Sequence, residues 1–386
     1  MRNIGFLILF FFTLHSFAID GLLIHTVDNA FKDKWNNTLG GSIPKISTCD
    51  KVFKHQYFHL TVIAADYSLN RFGEADVEYS IKIIGPDKST FLSEENLPLL
   101  KRKLSNNENL QMADAILKVS FEDEDIFGNY EVQIEINDLV SRKSKTITTD
   151  IELVELPSYD KIIVNSEDEF MKWIEKYYES PKPEEALSYY LYYAQSSLSD
   201  DEKSFWSIFS IFYEITRTNK FLNTQIIDCY EKQDLKTKIY LVYLLHYSDI
   251  GADNFLEKLE GNEKEVYDGV KNAPWINIYG EIKEPSQLDM LWATFMASGS
   301  YQPILKLIQT LDFAVYQGEL DKFKESQQAE EDRQKAMNDA VYQSLVWSIG
   351  SNMEIHGLVK SYCNWALRFE NLSALQKSEL KKIMEK

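Results

Sequence analysis

The spacing of apolar residues changes near residue 157, and this change constrains the fold more than any other feature of the sequence. Upstream, apolar and polar residues alternate, as in 77–83 (VEYSIKI) and 130–136 (YEVQIEI). A period of two places one face of a strand in a core and the other in water. Downstream, apolar residues recur every three or four positions, the period of an amphipathic helix. The sequence therefore predicts an all-β domain followed by an all-α domain.

Turn signals give the β region its outline. Gly85-Pro86 and Gly128-Asn129 separate alternating runs, and roughly five to seven short strands in about a hundred residues are typical of a β-sandwich. The predicted organisation is a signal peptide over 1–18, an N-terminal extension over 19–50, a sandwich over 51–156, a linker over 157–165 and an α-helical domain over 166–386.

A short motif inside the sandwich region carries a family resemblance. Asp125, Gly128 and Tyr130 lie within the segment FEDEDIFGNY, which resembles the tyrosine corner of immunoglobulin-like domains. The spacing is one residue longer than in antibody domains, and there is no Cys-Trp-Cys pattern. The region over 50–156 is therefore more similar to the Ig-like and macroglobulin-like sandwiches of secreted bacterial proteins. That resemblance implies a spacer or binding module.

The helical region shows start signals and a degenerate repeat. Ser166 and Glu169 are spaced as a capping box. Apolar helices at 241–245, 291–295 and 345–349 each run into a small polar turn, which predicts stacked helical hairpins of tetratricopeptide-like form without the consensus. Residues 288–299 also resemble a stretch of uncharacterised secreted bacterial proteins, a likeness that implies no activity.

The N-terminus has the pattern of a secretory signal. Arg2 precedes the apolar run 4–12, and the small residues Ser16 and Ala18 place a cleavage site before Ile19. The run is far shorter than the roughly 20 residues that span a bilayer as a helix. The mature protein is predicted to be periplasmic or secreted.

The charge balance excludes some partners. The chain has 41 Lys and Arg against 60 Asp and Glu, a net charge of −19. A field of that sign repels nucleic acid. No later apolar run reaches transmembrane length, so we expect neither nucleic acid nor a membrane-spanning segment.

Three cysteines leave two alternatives open. In an oxidising compartment one pair can form a disulfide, and Cys229 with Cys363 is the predicted pair because both fall in the helical region. The alternative is three buried free thiols, the third being Cys49.

No sequence motif indicates a cofactor, a metal ion or a catalytic centre, because P-loop, G-x-G-x-x-G, G-x-S-x-G and HExxH patterns are absent. Tyrosines do cluster, and they are candidate binding residues because Tyr combines contact area with a hydrogen-bonding tip. The clustered tyrosines are Tyr177, Tyr178, Tyr189, Tyr190, Tyr192 and Tyr193. The alternative use of such a cluster is helical core packing.

The sequence thus predicts a non-catalytic envelope or secreted protein that binds another protein through its helical array. The alternative is a carbohydrate-active or cell-wall-degrading enzyme that uses two carboxylates. A pocket with two carboxyl groups about 5–10 Å apart would favour that enzyme.

Overall fold

The computed structural model describes residues 19–39, 44–104, 110–326 and 330–385 of the chain. The side chains at 202–203, 325–326 and 330–331 are outside this description as well. The predicted signal peptide, which ends at Ala18, lies outside the described residues, and Ile19 is the first residue described.

The described residues form two compact units. The first contains residues up to Ile24, Leu60–Leu117 and Gly128–Ile151, and the second contains His25–His59, Lys118–Phe127 and Glu152–Lys386. The second unit therefore combines the helical region with much of the segment that precedes the predicted sandwich.

Nine strands precede residue 157 in the described chain. They are β1 (Asp20–Thr26), β2 (Lys51–Val52), β3 (Phe58–Ala65), β4 (Glu74–Ile84), β5 (Thr90–Lys103), β6 (Leu110–Met112), β7 (Leu117–Val119), β8 (Gly128–Asp138) and β9 (Lys143–Leu153). One sheet has the order β1-β3-β6, with β7 also paired to β3, and the other has the order β2-β9-β8-β4-β5. The predicted β region followed by a helical region is confirmed.

The period-two runs form the centre of the five-stranded sheet. β4 and β8 are antiparallel, with Tyr79 opposite Ile136 and Ile81 opposite Ile134. All four side chains are buried, while the polar residues between them point to the other face. Cross-strand pairs of this kind hold the register, because a slip of one residue would turn every apolar side chain outward.

The sequence does not predict β5, which lies at the end of this sheet. Its pairing with β4 contains register shifts, Asn96 has φ +55°, and Pro98 lies within the strand. Proline and bulges are tolerated at a sheet edge, where one side of the strand needs no ladder hydrogen bond. The irregular backbone explains why β5 lacks a clean alternation.

The three residues predicted to form a tyrosine corner have separate local roles. Tyr130 is buried in β8, where its ring meets Phe91 edge-on with the centroids 5.6 Å apart. Gly128 has φ +138°, and a Cβ added there would lie 3.1 Å from Pro86 Cγ. The carboxylate of Asp125 accepts a hydrogen bond from the backbone N–H of Glu122 at 2.7 Å.

Helices lie both within the β region and after it. A short helix, α1 (Phe31–Asn36), follows β1. After residue 157 the described chain contains α2 (Glu167–Lys176), α3 (Ala186–Gln195), α4 (Glu202–Thr218), α5 (Leu222–Tyr230), α6 (Leu235–Ser248), α7 (Asp253–Leu256), α8 (Gly261–Val270), α9 (Ser286–Ser298), α10 (Tyr301–Thr310), α11 (Glu319–Ser326), α12 (Glu330–Ile355), α13 (Gly357–Phe369) and α14 (Ala374–Met384). The sequence signals over 161–386 predict about eight to ten helices, fewer than these, because such signals do not separate short helices such as α7 from their neighbours.

The helical region has two hydrophobic clusters. The first includes Phe170, Tyr190, Phe209, Phe212 and Leu241. The second includes Leu291, Phe295, Leu307, Leu345 and Tyr362. One half of the predicted capping box of α2 is present, since Ser166 Oγ accepts from the backbone N–H of Glu169 at 3.2 Å. The other half is not formed as predicted, because the Glu169 carboxylate accepts from the backbone N–H of Asn165 at 2.9 Å.

The buried carboxylate of Asp138 gives a stability test of the β region. It accepts from the backbone N–H groups of Ser68 and Val140, both at 2.9 Å, and from the Ser141 hydroxyl at 2.7 Å. Desolvation opposes ionisation, but the hydrogen bonds from Ser141 and Ser68 outweigh it and hold the pKa of Asp138 below its ordinary value.

We expect Asp138→Asn to lower the free energy of unfolding by about 1–3 kcal/mol at pH 7. A depressed carboxyl pKa contributes stability above the unfolded-state pKa of about 3.9, and this contribution is lost as the pH falls through the folded-state pKa. Urea unfolding at pH 7 and pH 3 should therefore show the gap to wild type closing in acid. Exposed Asp150→Asn is the matched control, and a gap that does not change with pH would contradict the assignment.

Candidate functional site

The predicted binding tyrosines do not form a surface. Five of the six are buried, and only Tyr192 is partly exposed. Tyr193 stacks on Phe170 with ring centroids 6.1 Å apart, and the Tyr190 hydroxyl donates to the backbone carbonyl of Tyr240 at 2.7 Å. Five of the six residues therefore take part in core packing, which is the alternative use of such a cluster.

The predicted Cys229–Cys363 disulfide is not formed. Cys229, Cys363 and Cys49 are all free thiols, and the first two are fully buried in different hydrophobic clusters. Desolvation raises the pKa of Cys229 and of Cys363 to about 12. Both thiols are therefore protonated at neutral pH, a state in which neither is a nucleophile.

A buried ion pair lies near the start of the second unit. Lys34 Nζ donates to Asp28 Oδ2 at 2.6 Å, and the side chains are 3% and 0% exposed. Asp28 Oδ1 also accepts from the backbone N–H of Ala30 at 2.9 Å, and Lys34 Nζ also donates to the carbonyl of Tyr178 at 2.9 Å. Each buried charge therefore has its counter-ion and a further hydrogen bond, as a buried pair requires.

Asp28 also lines a polar cavity of about 200 Å³ together with Glu214 and Arg217. Arg217 Nε and Nη2 donate to the two oxygens of Glu214 at 2.7 and 2.6 Å, a bidentate pair. Burial raises the pKa of Asp28 and of Glu214, and the neighbouring Lys34 and Arg217 oppose that rise. The cavity thus contains two carboxylates, each already held by a cation.

The ion pair connects to the junction between α12 and α13. The Tyr178 hydroxyl lies 3.1 Å from Nδ1 of buried His356, the residue between these helices. Burial lowers the pKa of His356, so its imidazole is neutral at pH 7. Gly299 packs beside the same ammonium: its φ is +70°, and a Cβ there would come within 2.7 Å of Lys34 Cε.

The most exposed aromatic ring of the described helices is at Trp347 on α12. Its side chain is 74% exposed, and it lines two clefts of about 670 and 400 Å³. The larger cleft is called the Trp347 groove below. It is lined by Gln317, Tyr342, Gln343, Val346, Trp347, Gly350, Met353, Glu354, Lys360, Ile383 and Met384. The smaller cleft adds Pro285, Leu288, Asp289, Ser344 and Ser348.

Helix α12 has apolar residues on two faces. One face, with Val341, Leu345 and Ile349, is buried in the second hydrophobic cluster. The neighbouring face places Val346, Gly350 and Met353 along the Trp347 groove, where Val346 and Met353 also pack against the edge of that cluster. Trp347 points away from the cluster and is exposed, and an exposed aromatic ring beside an apolar cleft indicates a candidate binding surface.

The sequence alone predicts neither the Trp347 groove nor the buried Asp28–Lys34 ion pair. The run 345–349 predicts an apolar helix that ends in a polar turn, whereas α12 continues to Ile355, and an apolar run does not reveal which face of the helix is covered. The only signal in the sequence was that Trp347 follows Val346 at a position offset from the Leu345–Ile349 stripe. Nothing local distinguishes Lys34 from its exposed neighbour Lys32.

Metal-binding groups and membrane-spanning helices were searched for among the described residues only. Within the described ranges, no group of three or more His, Cys, Asp or Glu side chains is arranged to hold a metal ion. None of the described helices has both the length and the apolar character needed to cross a membrane.

No family model matches the chain, and no curated protein matches it. Among solved structures, the chain is similar to a family 123 glycoside hydrolase from Clostridium perfringens, described in connection with glycolipid glycan hydrolysis, at 12% identity and a TM-score of 0.24. The similarity covers 36% of this chain and 28% of that chain. A likeness at this level carries no argument about fold or activity.

The buried ion pair predicts a large effect of removing one partner. Lys34→Met leaves the Asp28 carboxylate buried without its counter-ion, so we expect the free energy of unfolding to fall by about 3–5 kcal/mol at pH 7. Protonation of Asp28 relieves the penalty, and because burial raises its pKa the deficit should shrink as the pH falls from 7 to 5. Urea unfolding at the two pH values measures both effects.

The matched control is Lys32→Met, an exposed lysine on the same helix, which should change stability by no more than about 0.5 kcal/mol. The double variant Asp28→Leu with Lys34→Met removes both charges and should recover much of the loss. Equal effects of Lys34→Met and Lys32→Met on the free energy of unfolding would show that the Asp28–Lys34 pair does not stabilise the fold.

Proposed function

We propose that this chain is an exported, non-catalytic protein that binds another protein through its helical region, with the Trp347 groove as the contact. The observation that carries the proposal is the side chain of Trp347, which is 74% exposed and lines two clefts at once. Tryptophan is among the residues that dominate binding energies at protein interfaces, where it fills a pocket on the partner or supports one.

The composition of the groove supports a protein ligand. Its floor is apolar, with Val346, Met353 and Met384, and the polar groups Glu354 and Lys360 are exposed at its edge. An apolar centre with a polar rim is the usual anatomy of a protein–protein interface. Methionines adapt their shape to a ligand because they are unbranched and flexible.

The remaining regions have subsidiary roles in this proposal. The signal pattern that ends at Ala18 would direct the chain to the periplasm or the medium. The β region, with its resemblance to Ig-like and macroglobulin-like sandwiches, would serve as a spacer or second contact. The helices would form a degenerate array of hairpins, tetratricopeptide-like in general form.

A second candidate is the carbohydrate-active enzyme with carboxylate catalysis. It is favoured by one observation: Asp28 and Glu214, two buried acids with raised pKa values, line a single cavity. Each is held by a cation, Lys34 or Arg217. Proton transfer by either carboxyl group would require its ion pair to open, so this candidate ranks second.

The test compares wild type with Trp347→Ala and with Phe369→Ala. Phe369 is a matched control, because it is also exposed (62%) and helical but does not line the groove. Purified proteins immobilised separately are incubated with the envelope and secreted fractions of the native cell. A partner is then purified and its Kd for each variant is measured.

We expect one protein to be retained by wild type and Phe369→Ala and lost by Trp347→Ala. The Kd for that protein should rise by about 30-fold in Trp347→Ala, the equivalent of about 2 kcal/mol for an interface hot spot. If all three proteins bind it equally, or if the purified wild type depolymerises a glycan, the proposal is wrong.

A further inference from the structure

The Trp347 groove has a definite length. Its lining residues on α12 run from Tyr342 to Glu354, which at 1.5 Å per residue is about 18 Å along the helix axis. This length matches about three turns of a second helix, or about five to six residues of an extended peptide. Length alone leaves both kinds of ligand open.

Backbone hydrogen bonding distinguishes the two. The described walls of the groove come mainly from α12, α13 and α14, whose backbone N–H and C=O groups bond within their own helices. The groove therefore offers no strand edge to an extended peptide, and its apolar floor would leave that peptide's backbone groups unpaired. A helix satisfies its own backbone, so it can place apolar side chains on this floor without that penalty.

The groove also has a gap that an inserted side chain can fill. Gly350 lies one turn after Trp347, and a Cβ built there would have its nearest neighbour, Ile383 Cγ2, at 3.8 Å. The absence of a side chain at this position leaves space between Trp347 and the α14 wall. Met353 and Met384 border the same space and can adjust to what enters it.

The net charge of the chain indicates the sign of the charge on the ligand. The chain carries a net charge of −19, and the polar residues that border the two clefts include two acids, Glu354 and Asp289, and one base, Lys360. Long-range attraction therefore favours a cationic ligand and disfavours a second copy of this acidic chain.

We propose, on the basis of the proposed function, that the Trp347 groove binds an amphipathic helix of about three turns with an apolar stripe and a lysine- or arginine-rich outer face. The apolar stripe packs against Trp347 and fills the gap at Gly350. The basic face remains in solvent, where it interacts with the acidic surface of this protein.

The experiment uses three fluorescently labelled 14-residue peptides of defined sequence type. One is an amphipathic leucine–lysine helix, the second replaces each lysine with glutamate, and the third is a scrambled leucine–lysine peptide with the same charge and no apolar stripe. Fluorescence anisotropy measures the Kd of each peptide for wild type, Trp347→Ala, Gly350→Trp and Phe369→Ala. Circular dichroism checks that each variant is folded.

We expect the amphipathic leucine–lysine peptide to bind wild type and Phe369→Ala alike. It should bind at least tenfold more weakly to Trp347→Ala, which removes the contact, and to Gly350→Trp, which fills the gap. The glutamate peptide and the scrambled peptide should each bind wild type at least tenfold more weakly. Trp347→Ala keeps the test decisive if Gly350→Trp fails to fold.

Three results would overturn the inference, and the third leaves the proposed function standing. Equal binding of the amphipathic and scrambled peptides would mean that charge alone drives association. Trp347-dependent binding of a neutral oligosaccharide such as cellohexaose, without peptide binding, would replace the helix with a sugar. If the native partner binds in a Trp347-dependent way and no peptide does, the proposed function stands and the helical ligand is wrong.

Discussion

A buried carboxylate and a buried ammonium each need a counter-ion, because neither is solvated by water. In the second unit, Asp28 and Lys34 are such a pair. The ammonium that pairs with Asp28 also holds the carbonyl of Tyr178. The hydroxyl of Tyr178 in turn meets His356, where α12 ends and α13 begins. One connected set of polar contacts thus joins α1 to the helix junction. That junction lies between Glu354 and Lys360, the two charged residues that line the Trp347 groove.

The parts of the fold that follow from local rules could be predicted. Alternation in β4 and β8 fixes which side chains enter the core, because the strand period leaves only two faces to choose from. The cap at Ser166 likewise follows from its own few neighbours, since its hydroxyl needs only an N–H three residues away. β5 could not be predicted in the same way, because Asn96 and Pro98 interrupt its alternation and its pairing with β4 depends on a strand elsewhere in the sequence.

The candidate sites could not be predicted, because they depend on contacts between residues far apart in the chain. Lys34 lies in the sequence FKDKWN, where it is indistinguishable from exposed Lys32 until Tyr178, 144 residues later, covers it. The tyrosine pairs suit a surface and a core equally well, since Tyr carries both an apolar ring and a hydroxyl. The hydroxyl of Tyr190 donates to the carbonyl of Tyr240, 50 residues away, so this ring can be buried. Trp347 differs from these tyrosines, because it belongs to an apolar helix segment and its ring is nevertheless exposed.

An exposed tryptophan beside an apolar groove would ordinarily cause a protein to associate with itself. Here the net charge of −19 opposes that outcome, because two copies that approach through this face bring like charges together. The same charge attracts a cationic chain, so it would both keep copies of this chain apart and favour a ligand of the proposed kind. The groove and the ion pairs of Asp28 and Glu214 therefore use charge in opposite ways. At Asp28 and Glu214 each charge is neutralised inside the fold by Lys34 or Arg217. The excess acid elsewhere is left unneutralised, and a surface that combines exposed apolar area with unneutralised charge of one sign is complementary to an amphipathic ligand of the other sign.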